Sequence, residues 1–181
     1  MLKGDNVNLR MMEKNDIPLT HQWHNNLEVS GLYNGVHQYT QTKAEQHFTE
    51  AESDPQNTRH SFLIELKDGT KVGSIGAWKD RSGYYTMGAS ILPEFRRQGY
   101  CSEATMLMID YLFLSDIIER VQALANVDNV GSRKTLQKAG LKEEGVLRKF
   151  AFVYGKWCDF VMLSILREEW NHPRVLKLPK N

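Results

Sequence analysis

The amino-acid sequence predicts one mixed α/β domain whose sheet is mostly antiparallel, with a single parallel pair of strands. Three strand-like segments joined by short turns follow two helix-like segments, which is typical of antiparallel neighbours. A strand, an Arg-rich loop, a long apolar helix and a further strand come next, and such a unit joins parallel strands by a right-handed crossover. The 181 residues suit a single domain, 1–181, and are too few for two full domains.

Seven strands are predicted from alternating or continuously apolar runs that turn residues bound. Asp68-Gly69 and Ser82-Gly83 are turn signals between the second, third and fourth of these strands. Pro93 ends the fourth strand, and Tyr154-Gly155-Lys156 joins the last two as a hairpin. In order, the strands are Val7–Met11, Ser61–Leu66, Lys71–Trp78, Tyr84–Leu92, Arg120–Val127, Val146–Val153 and Trp157–Ile165.

Four helices are predicted between the strands. Asn15 or Asp16 caps the first helix, which has a proline in its first turn and runs to about residue 26. Thr42-Lys43-Ala44-Glu45 fits a capping box and opens the second helix, which we expect to end near residues 54–55. The third helix follows the Arg-rich loop and ends near Ser115, and the fourth covers Gly131–Ala139. Residues 171–181 carry two prolines, and we expect them to form a loose tail.

Composition argues against several classes of function. A formal net charge of +1 lacks the basic excess of nucleic-acid-binding proteins. The most apolar stretch, Met106–Leu114, is interrupted by Asp110 and is too short to span a bilayer, and the first ten residues lack the apolar core of a signal peptide. Two cysteines, Cys101 and Cys158, argue against a disulfide framework, and no histidine spacing indicates a metal site. We therefore expect a cytoplasmic enzyme with no nucleic-acid, membrane or metal partner.

The loop Arg96–Ser102 is the most informative stretch for chemistry. It joins the end of a strand to the start of a helix, where unpaired backbone N–H groups and the positive end of the helix dipole face outward. Gly99 allows a ligand to approach the backbone, and Arg96, Arg97 and Gln98 add charge and donors. This combination suits a pyrophosphate, and an ordinary loop with solvated arginines is the alternative. No Gly-Lys-Ser/Thr follows, so the loop is not a Walker loop.

The run Arg96–Cys101 resembles the Arg/Gln-x-x-Gly-x-Gly/Ala motif of the GNAT N-acetyltransferase superfamily. The wider stretch ILPEFRRQGYCSEA resembles the RimJ/RimL-type branch of that superfamily. Further segments match motifs of this branch in the right order, and the resemblance covers nearly the whole chain. These segments are Asn8-Leu9-Arg10, Trp23-His24-Asn25, Asn129-Val130-Gly131-Ser132, Lys138-Ala139-Gly140-Leu141, Glu144–Arg148 and Gly155–Asp159.

The resemblance implies an acetyltransferase that uses acetyl-coenzyme A as cosubstrate. In this fold the strand before the loop and the next parallel strand splay apart, and the pantetheine arm lies between them. The arm is expected to pair with backbone at about Ile91 and Leu92, and the loop amides from Arg97 to Ser102 to hold the pyrophosphate. The expected cofactor residues are Ile91, Leu92, Arg96, Arg97, Gln98, Gly99, Tyr100, Cys101, Ser102, Asn129 and Ser132.

Catalytic roles follow from the resemblance too. Asn129 is expected to meet the pantetheine arm, and Ser132 to lie near the sulfur, where its hydroxyl would protonate the leaving thiolate; a first-turn or capping role is the alternative. Leu136 stands where many relatives outside this branch carry a tyrosine acid. Cys101 stands where glycine or alanine is usual, and its position matches a small loop residue and not a nucleophile, although a thiol at a helix N-terminus can have a lowered pKa and react.

No general base stands out in the sequence. Thr86, Met87 and Ala151 occupy the positions where some relatives place a carboxylate. An α-amine has a reference pKa of about 7.7–8.0 and a lysine about 10.4, so near neutral pH far more of the α-amine is already neutral. A site without a dedicated base therefore favours a protein N-terminus, with a bound water carrying the proton away.

Contacts to the amine acceptor are expected from the first helix, from the last hairpin and from Gly31–Tyr39, which we call the aromatic loop. The candidate residues are Trp23, Tyr33, His37 and Tyr154. Two other functions stay open beside protein N-terminal acetylation. One is acetylation of a small amine such as a polyamine, an aminoglycoside or an amino sugar, and the other is a coenzyme A-binding module without catalysis. Relatives often form dimers, so the resemblance makes a homodimer an expectation as well.

Overall fold

The computed structural model describes residues 1–178 of the chain and contains one sheet flanked by five α-helices. Short 3-10 turns lie at Lys14–Asp16, Pro93–Phe95 and Arg167–Glu169. The helices are α1 (Ile17–His24), α2 (Leu27–Ser30), α3 (Gln41–Glu52), α4 (Tyr100–Ser115) and α5 (Val130–Lys138). The strands are β1 (Leu2–Lys3), β2 (Val7–Met11), β3 (Arg59–Leu66), β4 (Lys71–Lys79), β5 (Tyr85–Ile91), β6 (Arg120–Asn126), β7 (Lys142–Val153) and β8 (Lys156–Leu166).

The eight strands form a single sheet in the order β1-β2-β3-β4-β5-β6-β8-β7. Every neighbouring pair is antiparallel except β5 and β6, which are parallel and are joined through α4. This confirms the predicted mixed α/β fold with a mostly antiparallel sheet and one parallel pair. The crossover helix α4 is also the centre of the core, because Leu107, Met108, Ile109 and Leu112 on it are fully buried.

Several local predictions needed correction. Helix α3 begins at Gln41 rather than Thr42, because Thr40 is its N-cap and accepts the backbone N–H of Lys43 at 3.3 Å. The four-residue helix α2 was not predicted, and Leu27 at its start is 43% exposed. Short helices carry too little apolar periodicity to be recognised in a sequence.

The chain after residue 170 is anchored as far as the structure describes it. Asp110 on α4 is fully buried, and its Oδ2 accepts the backbone N–H groups of Arg174, Val175 and Leu176 at 2.9–3.0 Å. Its Oδ1 accepts the indole N–H of Trp170 at 2.8 Å. These bonds, with that of the Lys177 N–H to the Lys3 carbonyl, hold residues 174–177 in place within the segment that we expected to be a loose tail. Residues 179–181 lie outside the described part of the chain.

None of the helices in residues 1–178 is long and apolar enough to cross a membrane.

Candidate active site

A cleft opens where β5 and β6 separate. The two strands pair only at Tyr85 with Val121 and at Thr86 with Gln122, where the Gln122 amide donates to Thr86 Oγ1 at 3.1 Å. Beyond this point the strands diverge, and a cleft of about 980 Å³ lies between them. It reaches from the aromatic loop on one side of the sheet to the N-terminus of α4 and to α5 on the other.

One edge of β5 has backbone groups in this cleft that no neighbouring strand pairs with. Gly88 and Ala89 are exposed although they lie in a central strand, because β6 has moved away from them. The Leu92 N–H donates to the carbonyl oxygen of Val72 on β4 at 2.9 Å. Along a strand, the backbone N–H groups of successive residues point alternately to one side and to the other, so every second residue of β5 bonds to β4. The N–H groups of Ala89 and Ile91 therefore face the gap.

This register corrects one expected pairing. Leu92 cannot offer its N–H to a pantetheine arm, since that group is bonded to β4. The Ile91 carbonyl oxygen accepts a hydrogen bond from Arg96 Nε at 3.0 Å. The backbone N–H of Ile91 is therefore the group of this residue that is free to bind a ligand. Leu92 lines a neighbouring pocket instead of the cleft.

The loop before α4 presents a run of unpaired N–H groups. Arg97 and Gly99 both have left-handed backbone conformations, with φ of 63° and 86°. From Arg97 to Ser102, six consecutive backbone N–H groups have no acceptor among residues 1–178. A curved run of free N–H groups at a helix N-terminus is an anion-binding feature.

Ser102 adds a hydroxyl to the same feature. Its Oγ is the one buried side-chain nitrogen or oxygen atom in the described residues without a hydrogen-bond partner. Buried hydroxyl groups in native proteins nearly always have a partner. Because Ser102 lines the cleft, its unpaired hydroxyl indicates that a polar ligand completes the site there. The pyrophosphate of acetyl-coenzyme A fits this requirement and that of the six N–H groups.

The two arginines of the loop differ in role. Besides the Ile91 carbonyl, the Arg96 guanidinium binds the carbonyl oxygens of Glu28 and Val29 at 3.1 and 2.7 Å, so it holds α2 against β5. Its Nε and Nη2 are used in these bonds, but its positive charge is not neutralised by carbonyl oxygens, and Arg96 also lines the cleft. Arg97 has no side-chain hydrogen bond within the described chain and lines the cleft.

Gln98 and Tyr100 contribute less directly. The Gln98 amide donates to the Glu94 carbonyl at 3.4 Å, and the side chain is not in the cleft wall, so its backbone N–H is what it offers a ligand. Tyr100 lines the cleft and packs partly against the core. Lys134 and Lys138 of α5 also line the cleft, which gives its wall a positive charge.

Cys101 is not activated as a nucleophile. Burial raises the pKa of its thiol to about 11, which is opposite to the lowering that a helix N-terminus can produce. The partner-free N–H groups nearby do not outweigh the loss of water around the sulfur. At neutral pH the side chain is therefore a thiol and not a nucleophilic thiolate.

Asn129 and Ser132 stand on the opposite wall, at the start of α5. Asn129 is the N-cap, and its Oδ1 accepts the Ser132 N–H at 3.0 Å. This leaves the Asn129 amide NH₂ and the Ser132 hydroxyl without protein partners in residues 1–178, and both residues line the cleft. Ser132 therefore lies in the first turn of α5, as in the alternative role given above, and it also has a free hydroxyl.

Two glutamates near the site, Glu103 and Glu144, are engaged in other contacts. Glu103 binds the N–H groups of Asn6 and Val7 at 2.7 and 3.1 Å, which fixes the N-terminal strand. Glu144 forms a bidentate pair with Arg120, and this pairing lowers the pKa of Glu144 to about 2. Neither carboxylate is placed to act as a base in the cleft.

The four candidate acceptor residues fall into two groups. Tyr33 and Tyr154 line the cleft, and Tyr154 sits in the β7–β8 turn with a left-handed φ of 44°. Trp23 and His37 line an adjoining side pocket of about 200 Å³. The two cavities share four lining residues, so they are contiguous; these are Val29, Ser30, Asn34 and Ser90.

Sequence reasoning missed two features of this region. The free N–H groups of Ala89 and Ile91 depend on the pairing register of β5, which no local pattern reveals. His24 also lines the side pocket, although it was read only as part of the Trp23-His24-Asn25 motif. Its position beside Trp23 in a predicted helix was a signal that could have drawn attention to it.

Comparison with known proteins settles the family. A family model described as Acetyltransferase (GNAT) domain matches residues 6–142, which is more than half of the chain. The chain belongs to the GNAT acetyltransferase family. Among curated relatives, the uncharacterized N-acetyltransferase YnaD of Bacillus subtilis (strain 168) is 31% identical over 87 residues, and this match covers 48% of the chain and about half, 51%, of YnaD. The probable N-acetyltransferase YjcK of the same organism is 25% identical over 178 residues, covering 93% of this acetyltransferase and 98% of YjcK.

Solved structures share the GNAT fold. The spermidine N-acetyltransferase of Vibrio cholerae, in complex with CoA and spermine, superposes with a TM-score of 0.82 at 20% identity, covering 91% of this chain and 98% of that one. The ribosomal-protein-S5-alanine acetyltransferase of Vibrio fischeri gives a TM-score of 0.83 at 19% identity, covering 94% and 99%. At these identities the likeness is one of fold, and the two proteins act on different amines.

Proposed function

We propose that this GNAT acetyltransferase transfers the acetyl group of acetyl-CoA directly to the α-amine of a protein or peptide N-terminus, as members of the RimJ/RimL-type branch do, in the cytoplasm. The run of six free N–H groups from Arg97 to Ser102, beside the open edge of β5, is the observation that supports acetyl-CoA as cosubstrate. The acceptor class rests on the side pocket, which has no carboxylate in its wall.

The proposed cofactor contacts follow the cleft from one end to the other. The loop N–H groups and the Ser102 hydroxyl hold the pyrophosphate, and Lys134 and Lys138 add charge that suits further phosphate oxygens. The Asn129 amide and the Ile91 N–H position the neutral pantetheine arm. When bound, acetyl-CoA supplies an activated thioester carbonyl between the two strands.

The residues of the chain then stabilise the charge that develops during transfer. The Ala89 N–H faces the gap and donates to the carbonyl oxygen as negative charge builds on it. Ser132 Oγ gives a proton to the departing sulfur. The bond between carbon and sulfur breaks as the bond between carbon and the amine nitrogen forms, and the amine loses one proton.

The chemistry of the acceptor pocket supports an N-terminal α-amine over a polyamine. No aspartate or glutamate lines the side pocket, and Glu28 is the one carboxylate in the cleft wall. A polyamine with several ammonium groups needs paired carboxylates to replace its water. The walls offered by Trp23, Tyr39 and two histidines suit instead a neutral or aromatic side chain next to a single amine.

A release assay for the free thiol of CoA tests this proposal. Acetyl-CoA is mixed with short peptides that have free N-termini, with spermidine, with an aminoglycoside and with an amino sugar. We expect turnover on peptides that exceeds turnover on the small amines. Turnover on small amines alone would move the function to that class, and tight acetyl-CoA binding without turnover would indicate a binding module.

A further inference from the structure

The side pocket contains a histidine whose neutral tautomer is fixed by a backbone contact. His24 lies in the last turn of α1, and its Nδ1 is 2.7 Å from the carbonyl oxygen of Thr20. A carbonyl oxygen only accepts hydrogen bonds, so the Nδ1 atom carries the proton of the neutral ring. The Nε2 atom is then the unprotonated nitrogen, and it has no partner among residues 1–178.

The other histidines of this region are placed differently. His21 uses its Nε2 in a 2.7 Å contact with the Tyr39 carbonyl and does not line the pocket. His37 lines the pocket, but no hydrogen bond within the described chain orients its ring. His24 therefore combines a fixed ring, a free basic nitrogen and a place in the pocket wall.

The side pocket adjoins the reacting part of the cleft. Ser90 lines both cavities, and it lies in β5 between Ala89 and Ile91, whose N–H groups face the gap. An amine in the side pocket is thus one strand residue away from the edge where the thioester carbonyl is proposed to bind. His24 lines the same pocket as Ser90.

We propose that His24 Nε2 is the general base of the transfer, an assignment that rests on the proposed function. Nε2 takes one proton from the acceptor nitrogen, which frees its electron pair to attack the acetyl carbon. The imidazolium later passes this proton to water, and the sulfur takes the hydroxyl proton of Ser132. The nitrogen loses a second proton when the amide forms, and that proton restores the Ser132 hydroxyl through water, so the balance is ammonium plus acetyl-CoA giving amide, CoA thiol and one released proton.

The charged and titratable groups around His24 do not occupy its imidazole, which is therefore free to accept a proton from the amine. The titratable residues that line the pocket are His24, His37 and Tyr39, and burial raises the pKa of Tyr39, so its phenol stays neutral. His21 and His47 lie near the Tyr39 ring, with ring centroids 5.8 and 6.1 Å away. No carboxylate lines the pocket to hold the protonated ring in an ion pair.

The test compares His24→Gln with the wild type across pH, using a peptide with a free N-terminus. We expect kcat to fall at least tenfold at pH 7, the lower part of the range for losing acid–base assistance. The KM for acetyl-CoA should change less than twofold. The deficit should shrink at pH 9, because most of the α-amine is then neutral without help. Added imidazole should restore part of the activity of His24→Ala.

Controls separate this assignment from the proposed function. His47→Gln, on α3 outside both cavities, should match the wild type at every pH. A deficit in His24→Gln that is equal at pH 7 and pH 9, or no deficit, would overturn the base assignment while leaving acetyl transfer intact. The same pH-dependent deficit in His37→Gln in place of His24→Gln would overturn it too. A wild type that acetylates no amine would overturn the proposed function and this assignment together.

Discussion

The side-chain oxygen of Asn129 accepts the backbone N–H of Ser132 at 3.0 Å and so caps α5 at the wall of the cleft. One amide thereby serves two purposes, since its oxygen stabilises the helix and its NH₂ group faces the proposed pantetheine arm. The two purposes can be separated because aspartate caps a helix about as well as asparagine but has no NH₂ group.

Asn129→Asp should therefore keep the free energy of unfolding while weakening acetyl-CoA binding. We expect the Kd to rise about three- to tenfold, the worth of one neutral hydrogen bond. Asn129→Ala should show the same loss of affinity and also lose about 1 kcal/mol of stability with the cap. Titration calorimetry and urea unfolding measure the two quantities. Equal affinity for wild type and Asn129→Asp would remove the amide from the cofactor site.

Gly99 offers a comparison with a second glycine of the same backbone conformation. Gly99 and Gly83 both have φ of 86°, and a Cβ on either would meet no atom within 4 Å. Alanine at either position costs about 1–2 kcal/mol for the left-handed conformation. Gly99, however, lines the cleft within the loop of free N–H groups, whereas Gly83 lies in the β4–β5 turn and does not line the cleft.

Gly99→Ala should thus weaken acetyl-CoA binding at least tenfold, about 1.4 kcal/mol, and Gly83→Ala should leave it unchanged. Both variants should lose similar stability in urea unfolding. Equal acetyl-CoA affinities for the two variants would show that the phosphates bind elsewhere.

Ser132 and Cys101 should respond oppositely to alanine. We expect Ser132→Ala to lower kcat about 10²-fold, as for loss of a catalytic acid, with little change in acetyl-CoA affinity. Cys101→Ala should keep its turnover, because the buried thiol with a pKa of about 11 is not a nucleophile. An essential Cys101, with an acetylated enzyme seen by mass spectrometry, would replace direct transfer by a ping-pong route.

A buried histidine outside the site gives a prediction about stability and pH. His60 lies between Tyr85 and Tyr111, with its ring nitrogens 3.1 and 3.4 Å from their hydroxyl groups. Burial lowers the pKa of His60, against an opposing effect of Asp116. The unfolded chain therefore binds a proton that the folded protein does not, and stability falls as pH drops below about 6.5, the unfolded value.

His60→Gln should remove this part of the pH dependence. Between pH 7.5 and 5, the wild type should lose more free energy of unfolding than the variant, by at most about 1.4 kcal/mol per pH unit below 6.5. Urea unfolding at each pH measures the difference. Parallel curves for the two proteins would mean that His60 titrates alike in the folded and unfolded states.

The fold was predictable because its signals are local. Apolar alternation marked the long strands, and Asp68-Gly69 and Ser82-Gly83 marked two of the turns correctly. The loop before α4 was recognised because glycine, arginines and a helix start occur within seven residues. The short helix α2 escaped prediction, since four residues do not establish a period.

The details that sequence reasoning missed depend on partners far along the chain. The Asp110 carboxylate binds backbone groups that lie more than 60 residues further along the sequence. No local pattern near Asp110 therefore predicts an anchored C-terminal segment. The role of Arg96 depends on carbonyl groups of α2 that lie 67 and 68 residues earlier. Which β5 amide is free likewise depends on pairing with β4.

The position of the transferred acetyl group on a peptide tests the proposed transfer to an N-terminal α-amine most directly. A peptide with a free N-terminus and an internal lysine is incubated with acetyl-CoA and the protein, beside the same peptide with a blocked N-terminus. We predict that fragmentation mass spectrometry finds one acetyl group on the α-amine of the first peptide and none on the second. Acetyl-lysine in both peptides, or no acetylation of either while spermidine is acetylated, would contradict transfer to an N-terminal α-amine.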